Sequence, residues 1–229
     1  MQPADVRKVN GNDVIGILLK KYGLLGTARV VWTDVLYDWR HSVDTFRPVA
    51  NTELFDSERA ERQNRYVPST FGLIEATIDR IAPHVAIERS NFVDFGSGKG
   101  KVLIGAARRP FQRIKGIEFS ERLHRIAQQN IRTLALENRV ELIQGDASQF
   151  VPDDSDRVLY FFNPFVGDLL EDCLRNIAQA SQQVPRYLIY ANPVEDQRFC
   201  RYFDKLEEAT IQPGGIRVNF FKTRQTDGR

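Results

Sequence analysis

The stretch Asn91-Phe92-Val93-Asp94-Phe95-Gly96-Ser97-Gly98-Lys99-Gly100-Lys101 decides how this chain is read. A short apolar run ends in an aspartate, passes through glycines on alternate positions and continues into a segment of helical character that reaches Arg108. Glycine has no Cβ and tolerates positive φ, so backbone at such a turn can come very close to a ligand. A helix over residues 99–108 would present its free N–H groups to the same place. The pattern therefore predicts a ligand-binding turn between a strand and a helix.

Working outward, the chain beyond the turn alternates strand and helix. Apolar, β-branched and aromatic runs place strands at 91–95, 113–118, 139–144, 157–162 and 186–191. Helices are expected near 99–108, 120–136, 167–181 and 195–203, the second with Leu123, Ile126, Ala127, Asn130, Ile131 and Leu134 at helical spacing and Ser120 as its cap. The alternation stops near the end, where 205–211 and 216–223 flank Gln212-Pro213-Gly214-Gly215 and read as a terminal hairpin. The expected fold is an α/β, Rossmann-like three-layer sandwich with a mostly parallel, seven-stranded sheet closed by that antiparallel hairpin. Ligands in such sheets bind beyond the carboxyl ends of the central strands.

Upstream of the turn, Leu73, Ile74, Thr77, Ile78 and Ile81 form the buried stripe of a helix that Ser69 is placed to cap. Residues 1–65 carry no strand alternation and are read as a helical N-terminal arm, with residues 66–229 as the ligand-binding domain. Within the arm Trp32, Val35, Leu36 and Trp39 fall at i, i+3, i+4 and i+7, a stripe expected to pack on the main domain or to cap its pocket. His41 is read as a loop histidine and the charge run 57–65 as a solvated helical face.

Composition narrows the function classes. The 229 residues are 42% hydrophobic and 27% charged, ordinary for a globular chain long enough to bury a proper core. A net charge of +2 leaves no footprint of obligate nucleic-acid binding, although Arg108, Arg109 and Arg113 offer a local basic rim. Two cysteines and three scattered histidines give neither a disulfide framework nor metal-ligand spacing, so no metal is expected. The polar first residues lack a signal-peptide core, and charges interrupt 14–36, so a cytoplasmic location and no membrane partner are expected.

Three nucleotide-site patterns compete for the turn. A P-loop requires four residues between its first glycine and Gly-Lys-Ser/Thr; Gly98-Lys99 is followed by Gly100 and the position five before Gly98 is Val93, so it fails. A dinucleotide fingerprint would place its third glycine at Lys101 and matches poorly. Asp94-x-Gly96-x-Gly98-x-Gly100 resembles motif I of the class I S-adenosylmethionine-dependent methyltransferases. That resemblance implies S-adenosylmethionine as cofactor, with Asp94 near its methionine end and Gly96, Gly98 and Gly100 beneath it. It also implies Glu118, at the end of the second strand, accepting from the ribose hydroxyls, as an ionised carboxylate suits a diol. In Gln144-Gly145-Asp146-Ala147, Asp146 would meet the adenine amino group and Ala147 the ring.

The fourth strand runs into Asn163-Pro164-Phe165, which resembles the Asp/Asn-Pro-Pro-aromatic motif of amino-group methyltransferases. One proline is missing, so Phe165 stands where the second proline would be. The resemblance implies Asn163 and Phe165 as catalytic residues at a nitrogen acceptor, with Asn163 also touching the cofactor. Tyr66-Val67-Pro68-Ser69 is similar to an element of small protein-lysine methyltransferases and their bacterial relatives, which implies Tyr66 and Ser69 closing over the cofactor or the acceptor channel and puts a protein lysine among the acceptors. A second Asn-Pro, Asn192-Pro193, ends the fifth strand. The alternatives are an NAD-dependent oxidoreductase on the same fold and a non-catalytic binding protein. Protein, small molecule and nucleic acid all remain open as acceptor.

Overall fold

The computed structural model describes residues 14–47, 49, 69–181, 183–212 and 214–224. Within them lies a sheet of seven strands: β1 Asn91–Phe95, β2 Ile114–Glu118, β3 Val140–Gln144, β4 Asp156–Phe161, β5 Tyr187–Ala191, β6 Phe203–Ile211 and β7 Ile216–Thr223. Their order is β3-β2-β1-β4-β5-β7-β6. β1 to β5 are parallel, and β7 lies antiparallel between β5 and β6, the expected closing hairpin. Chain order reverses between β1 and β4, so the crevice that this topology opens lies at their carboxyl ends.

The helices are α1 Val14–Val30, α2 Leu36–His41, α3 Phe71–Ile81, α4 Lys101–Ala106, α5 Glu121–Thr133, α6 Asp168–Ala180 and α7 Asp196–Tyr202. Central strands buried on both faces explain their near-continuous apolar character. Phe92, Val158, Tyr160 and Ile189 meet α3 and α4 on one face. Val93, Phe95, Leu159, Phe161, Leu188 and Tyr190 meet α6 and α7 on the other. Strand alternation therefore turns Asp94 to the same face as Phe92.

Ser120 caps α5 as expected, its Oγ accepting from Leu123 N at 3.4 Å. For α3 the expectation is one residue out. Thr70, in extended conformation, is the cap and accepts from Leu73 N at 3.3 Å, while Ser69 is buried one step earlier.

The arm departs most from expectation. Its aromatic stripe faces outward: Trp32 is 74% and Trp39 80% exposed. The turn Val31–Val35 is π-helical, which changes the phase between α1 and α2. The face turned inward then carries Val30 and Asp34, both fully buried. His41 is the exposed last residue of α2, stacked against Tyr37 at 4.4 Å, rather than a loop residue.

Polar contacts to the glycine turn hold this arm. Asp34 Oδ1 lies 2.6 Å from Lys101 Nζ, with both side chains buried, and also accepts from Phe71 N at 3.0 Å. The Lys101 ammonium sits over the rings of Phe46 and Phe71 at 4.7 and 4.9 Å. Lys99 Nζ donates to both Asp44 oxygens at 2.8 Å and to the Arg47 carbonyl at 3.0 Å. Asn130 of α5 joins the two segments: its Oδ1 accepts from Asp44 N and its Nδ2 donates to the carbonyls of Asp44 and Lys99, each at 2.9 Å. Asp38 closes the loop by accepting from Thr45 N, Thr45 Oγ1 and Phe46 N at 2.7, 2.6 and 2.8 Å.

Burial pushes the Lys101 ammonium below its ordinary range, and Asp34 pulls it back toward the charged form. Asp34→Asn keeps an acceptor for Phe71 N–H and removes the counter-charge, so urea unfolding should show a loss of about 3–5 kcal/mol. Replacing the pair together, Asp34→Leu with Lys101→Met, should cost much less. Equal losses in the single and double variants would refute the pairing as the cause.

Candidate active site

The glycine turn is left-handed at all three of its glycines, with φ of 82° at Gly96, 53° at Gly98 and 82° at Gly100. A side chain at Gly96 is doubly excluded, because its Cβ would lie 2.4 Å from Pro164 Cβ. The loop after β4 thus rests directly on the turn. Gly96 N and Ser97 N both donate to the Ile117 carbonyl at 2.9 Å, which anchors the turn to the end of β2.

Glu118 binds the turn itself. Its Oε2 accepts from Gly98 N at 2.8 Å and its Oε1 from Ser120 N at 2.7 Å. The side chain is buried, which raises its pKa above the ordinary carboxylate value, while the backbone N–H groups of Ser120, Gly98 and Phe119 oppose the rise. An ionised carboxylate offers about four acceptor sites, more than these N–H groups occupy. The Glu118 carbonyl also receives Gly145 N at 3.0 Å, drawing the end of β3 alongside.

Asp94 is 1% exposed, and its Oδ2 is buried without a hydrogen-bond partner among the described residues. Burial first, and the Glu118 charge second, raise its pKa well above the usual carboxylate range. Ser97 Oγ and Ser69 Oγ are likewise buried and unpartnered among the described residues. A buried acceptor left unsatisfied is costly in isolation, and a cationic hydrogen-bond donor at this site would complete it.

At the end of β3, Asp146 caps the short turn Ala147–Gln149, its Oδ1 accepting from Ser148 N at 2.9 Å and Ser148 Oγ at 2.7 Å. Ala147 is buried beside it. Past β4, Asn163 has φ of 43° and, past β5, Asn192 has φ of 52°, so both Asn-Pro turns bend left-handed at neighbouring strand ends. Asn163 Oδ1 lies 3.5 Å from Tyr190 Oη, and that phenol oxygen accepts from Val194 N and Glu195 N at 3.2 and 3.3 Å. Glu195 Oε2 accepts from Gly167 N at 2.9 Å, tying the two loops together. Phe165 is 4% exposed and packs edge-on to Phe161 at 6.5 Å, so its ring lies in the core.

The turn, Glu118, Asp146, Ala147 and the Asn163 loop therefore converge at the carboxyl ends of β1 to β4. Tyr66 lies outside the described residues. Two residues of the expected basic rim are committed elsewhere. Arg108 pairs with Glu75 at 2.7 Å and stacks over Phe71, and Arg109 pairs with Asp79 at 2.7 Å. Sequence reasoning used Lys99 and Lys101 only as departures from glycine patterns and missed them as anchors. The signal available was a lysine opening a helix whose remaining residues, Val102 to Ala106, are all apolar or small. Tyr160, side by side with Asp94 across β4 and β1, passed as an ordinary strand aromatic.

Among the described residues no group of His, Cys, Asp and Glu could hold a metal ion, and no helix is long and apolar enough to cross a membrane. A bare left-handed turn, an unsatisfied buried carboxylate for a cationic group and a second carboxylate able to receive a diol fit the two ends of an S-adenosyl amino acid.

Residues 92–183 match the family model of a methyltransferase domain. No curated protein gives a significant match. Among solved structures, the chain resembles an RNA methyltransferase from Salinibacter ruber in complex with S-adenosyl-L-homocysteine, at 19% identity and TM-score 0.54 over 70% of this chain and 95% of that one. It also resembles TrmN from Thermus thermophilus, at 18% identity and TM-score 0.53 over 69% of this chain and 49% of that one. A third is geranyl diphosphate C-methyltransferase from Streptomyces coelicolor A3(2), at 12% identity and TM-score 0.52 over 67% of this chain and 78% of that one. At such identities these structures share the fold. The family match runs from β1 to α6, so the methyltransferase-domain model covers the stretch that carries the glycine turn, Glu118, Asp146 and Asn163, and the sheet order agrees with the shared fold.

Proposed function

We propose that the chain methylates a nitrogen acceptor held beyond the carboxyl end of β4, with a protein lysine as the favoured class. The observation that carries this reading is the placement of Asn163: a left-handed turn at the strand end, against the glycine turn through Pro164, with its amide oxygen beside the Tyr190 phenol. A polar amide fixed there can orient an amine by hydrogen bonding. The likeness of Asn163-Pro164-Phe165 to an amino-methyltransferase motif and of Tyr66 to Ser69 to a protein-lysine element supports the same choice.

In this reading Asp94 takes the ammonium of the cofactor's amino-acid tail, Gly96, Gly98 and Gly100 lie under the ligand, and Glu118 receives the ribose diol. Asp146 and Ala147 flank the adenine, and Ser69 and Tyr66 close over the site. When bound, the cofactor supplies an activated methyl group on a sulfonium. The protein's contribution is positioning and exclusion of water, which can be worth several kcal/mol. Asn163 orients the acceptor, and Phe165, buried against Phe161, gives the Asn163 loop a rigid floor. We read residues 1–65 as an arm and 66–229 as the methyltransferase domain. The ion pairs of Asp34 and Asp44 support the arm as a fixed wall of the site.

Titration calorimetry should show S-adenosylhomocysteine binding and no NAD binding, with Glu118→Ala weakening the former by about tenfold or more; tight NAD binding alone would overturn the reading. Labelled methyl groups from S-adenosylmethionine, offered with cell extract, should appear in protein on lysine. Label confined to RNA or to small molecules would exclude the lysine acceptor. Asn163→Ala should lower turnover by about 10–100-fold, the scale of one oriented hydrogen bond, and should change S-adenosylhomocysteine affinity far less.

A further inference from the structure

Asp94 and Tyr160 are partners in register on the adjacent strands β1 and β4, so their side chains stand next to each other on the α3 and α4 face. Both are buried, Asp94 at 1% and Tyr160 at 0% exposure. Asp94 Oδ2 is buried without a hydrogen-bond partner among the described residues and is an obligate acceptor once ionised. The buried phenol of Tyr160 carries a donor that makes no hydrogen bond of ordinary geometry, with the hydroxyls of Ser69 and Thr77 as its nearest polar neighbours. Native interiors satisfy nearly all such groups, so an orphaned carboxylate oxygen beside an underused donor calls for an explanation. Thr77 Oγ1 donates to the Ile74 carbonyl at 2.9 Å, and it and Ser69 Oγ lie near the phenol.

We propose that Tyr160 is a positioning residue for Asp94: with the cofactor's ammonium on Asp94, the Tyr160 hydroxyl donates to the same carboxylate and fixes it toward the amino-acid tail. The proposal rests on the assignment of Asp94 to that tail made above. Binding then asks of Tyr160 only a turn of its phenol O–H. Tyr160 acts through Asp94 and not on the ribose or the base.

The charged and titratable groups around Asp94 are few. Glu118 from β2 bears on it as a like charge, and Tyr160 adjoins it from β4. On α4 and the turn, Lys101 and Lys99 are engaged by Asp34 and Asp44. The α3 side brings the hydroxyls of Ser69 and Thr77 to the Tyr160 phenol. Burial and Glu118 keep the Asp94 carboxyl protonated to higher pH than usual, so affinity for a ligand with an ammonium tail falls as pH drops through that raised range. Loss of the phenol donor removes a stabiliser of the ionised form and moves that fall to higher pH.

The test compares Tyr160→Phe with wild type by calorimetry, using S-adenosylhomocysteine and 5′-methylthioadenosine, which keeps the ribose and base but lacks the amino-acid tail. The variant retains the ring and removes a hydroxyl whose polar neighbours are only the Ser69 and Thr77 hydroxyls, so its thermal midpoint should change little. Its S-adenosylhomocysteine affinity should drop by about tenfold, the scale of a hydrogen bond to a charged group. Its 5′-methylthioadenosine affinity should be unchanged, and its pH profile for S-adenosylhomocysteine should shift upward. In an Asp94→Asn background Tyr160→Phe should add no further loss. Undiminished S-adenosylhomocysteine binding, or equal losses for both ligands, overturns the role of Tyr160 alone. Wild-type protein that binds neither ligand overturns the assignment of the site as well.

Discussion

A backbone that turns left-handed at Gly96, Gly98 and Gly100 carries almost no side chains with which to hold itself, so its shape is imposed from outside. Glu118 grips Gly98 N–H, the Ile117 carbonyl takes two more N–H groups, and Pro164 presses on Gly96. The non-glycine positions between and after the glycines supply the remaining anchors. Lys99 and Lys101 reach back into the arm, where Asp44 and Asp34 receive them. Buried ion pairs are weak evidence for net stability, but removing one partner is strongly unfavourable. The buried Asp34–Lys101 pair therefore binds arm and turn to a single arrangement, and the part-exposed Asp44 adds a second contact.

Carboxylates set the electrostatics of the site. Asp94 and Glu118 sit at adjacent strand ends, both buried and both with raised pKa, and Glu118 adds to the rise at Asp94. Glu118 is partly relieved by backbone N–H groups, whereas Asp94 has a buried oxygen with no partner among the described residues. A ligand with an ammonium at one end and a diol further along meets both needs. That asymmetry gives a physical reason for two acidic residues where a plain core would have tolerated neither.

Much of this was legible in the sequence because it depends on local rules. Continuous apolar runs marked the buried strands, alternate glycines marked the turn, and Ser120 marked the start of α5. What escaped depended on tertiary contact. The stripe Trp32, Val35, Leu36 and Trp39 obeys helical spacing, yet the π-helical turn presents Val30 and Asp34 to the domain instead. Lys99 and Lys101 find their counter-charges more than fifty residues away in sequence, beyond the reach of any local pattern. Phe165 stands at the second-proline position of its motif, and its ring enters the core beside Phe161. The juxtaposition of Asp94 and Tyr160 is visible only once β1 and β4 are in register.

The most direct test is a crystal structure of the protein with S-adenosylhomocysteine. The account predicts the ribose hydroxyls within hydrogen-bond distance of Glu118, the ammonium at Asp94, the glycine turn still left-handed beneath the ligand and the Asp34–Lys101 pair intact. A ligand bound away from the ends of β1 and β2, or a ribose that does not touch Glu118, would contradict it.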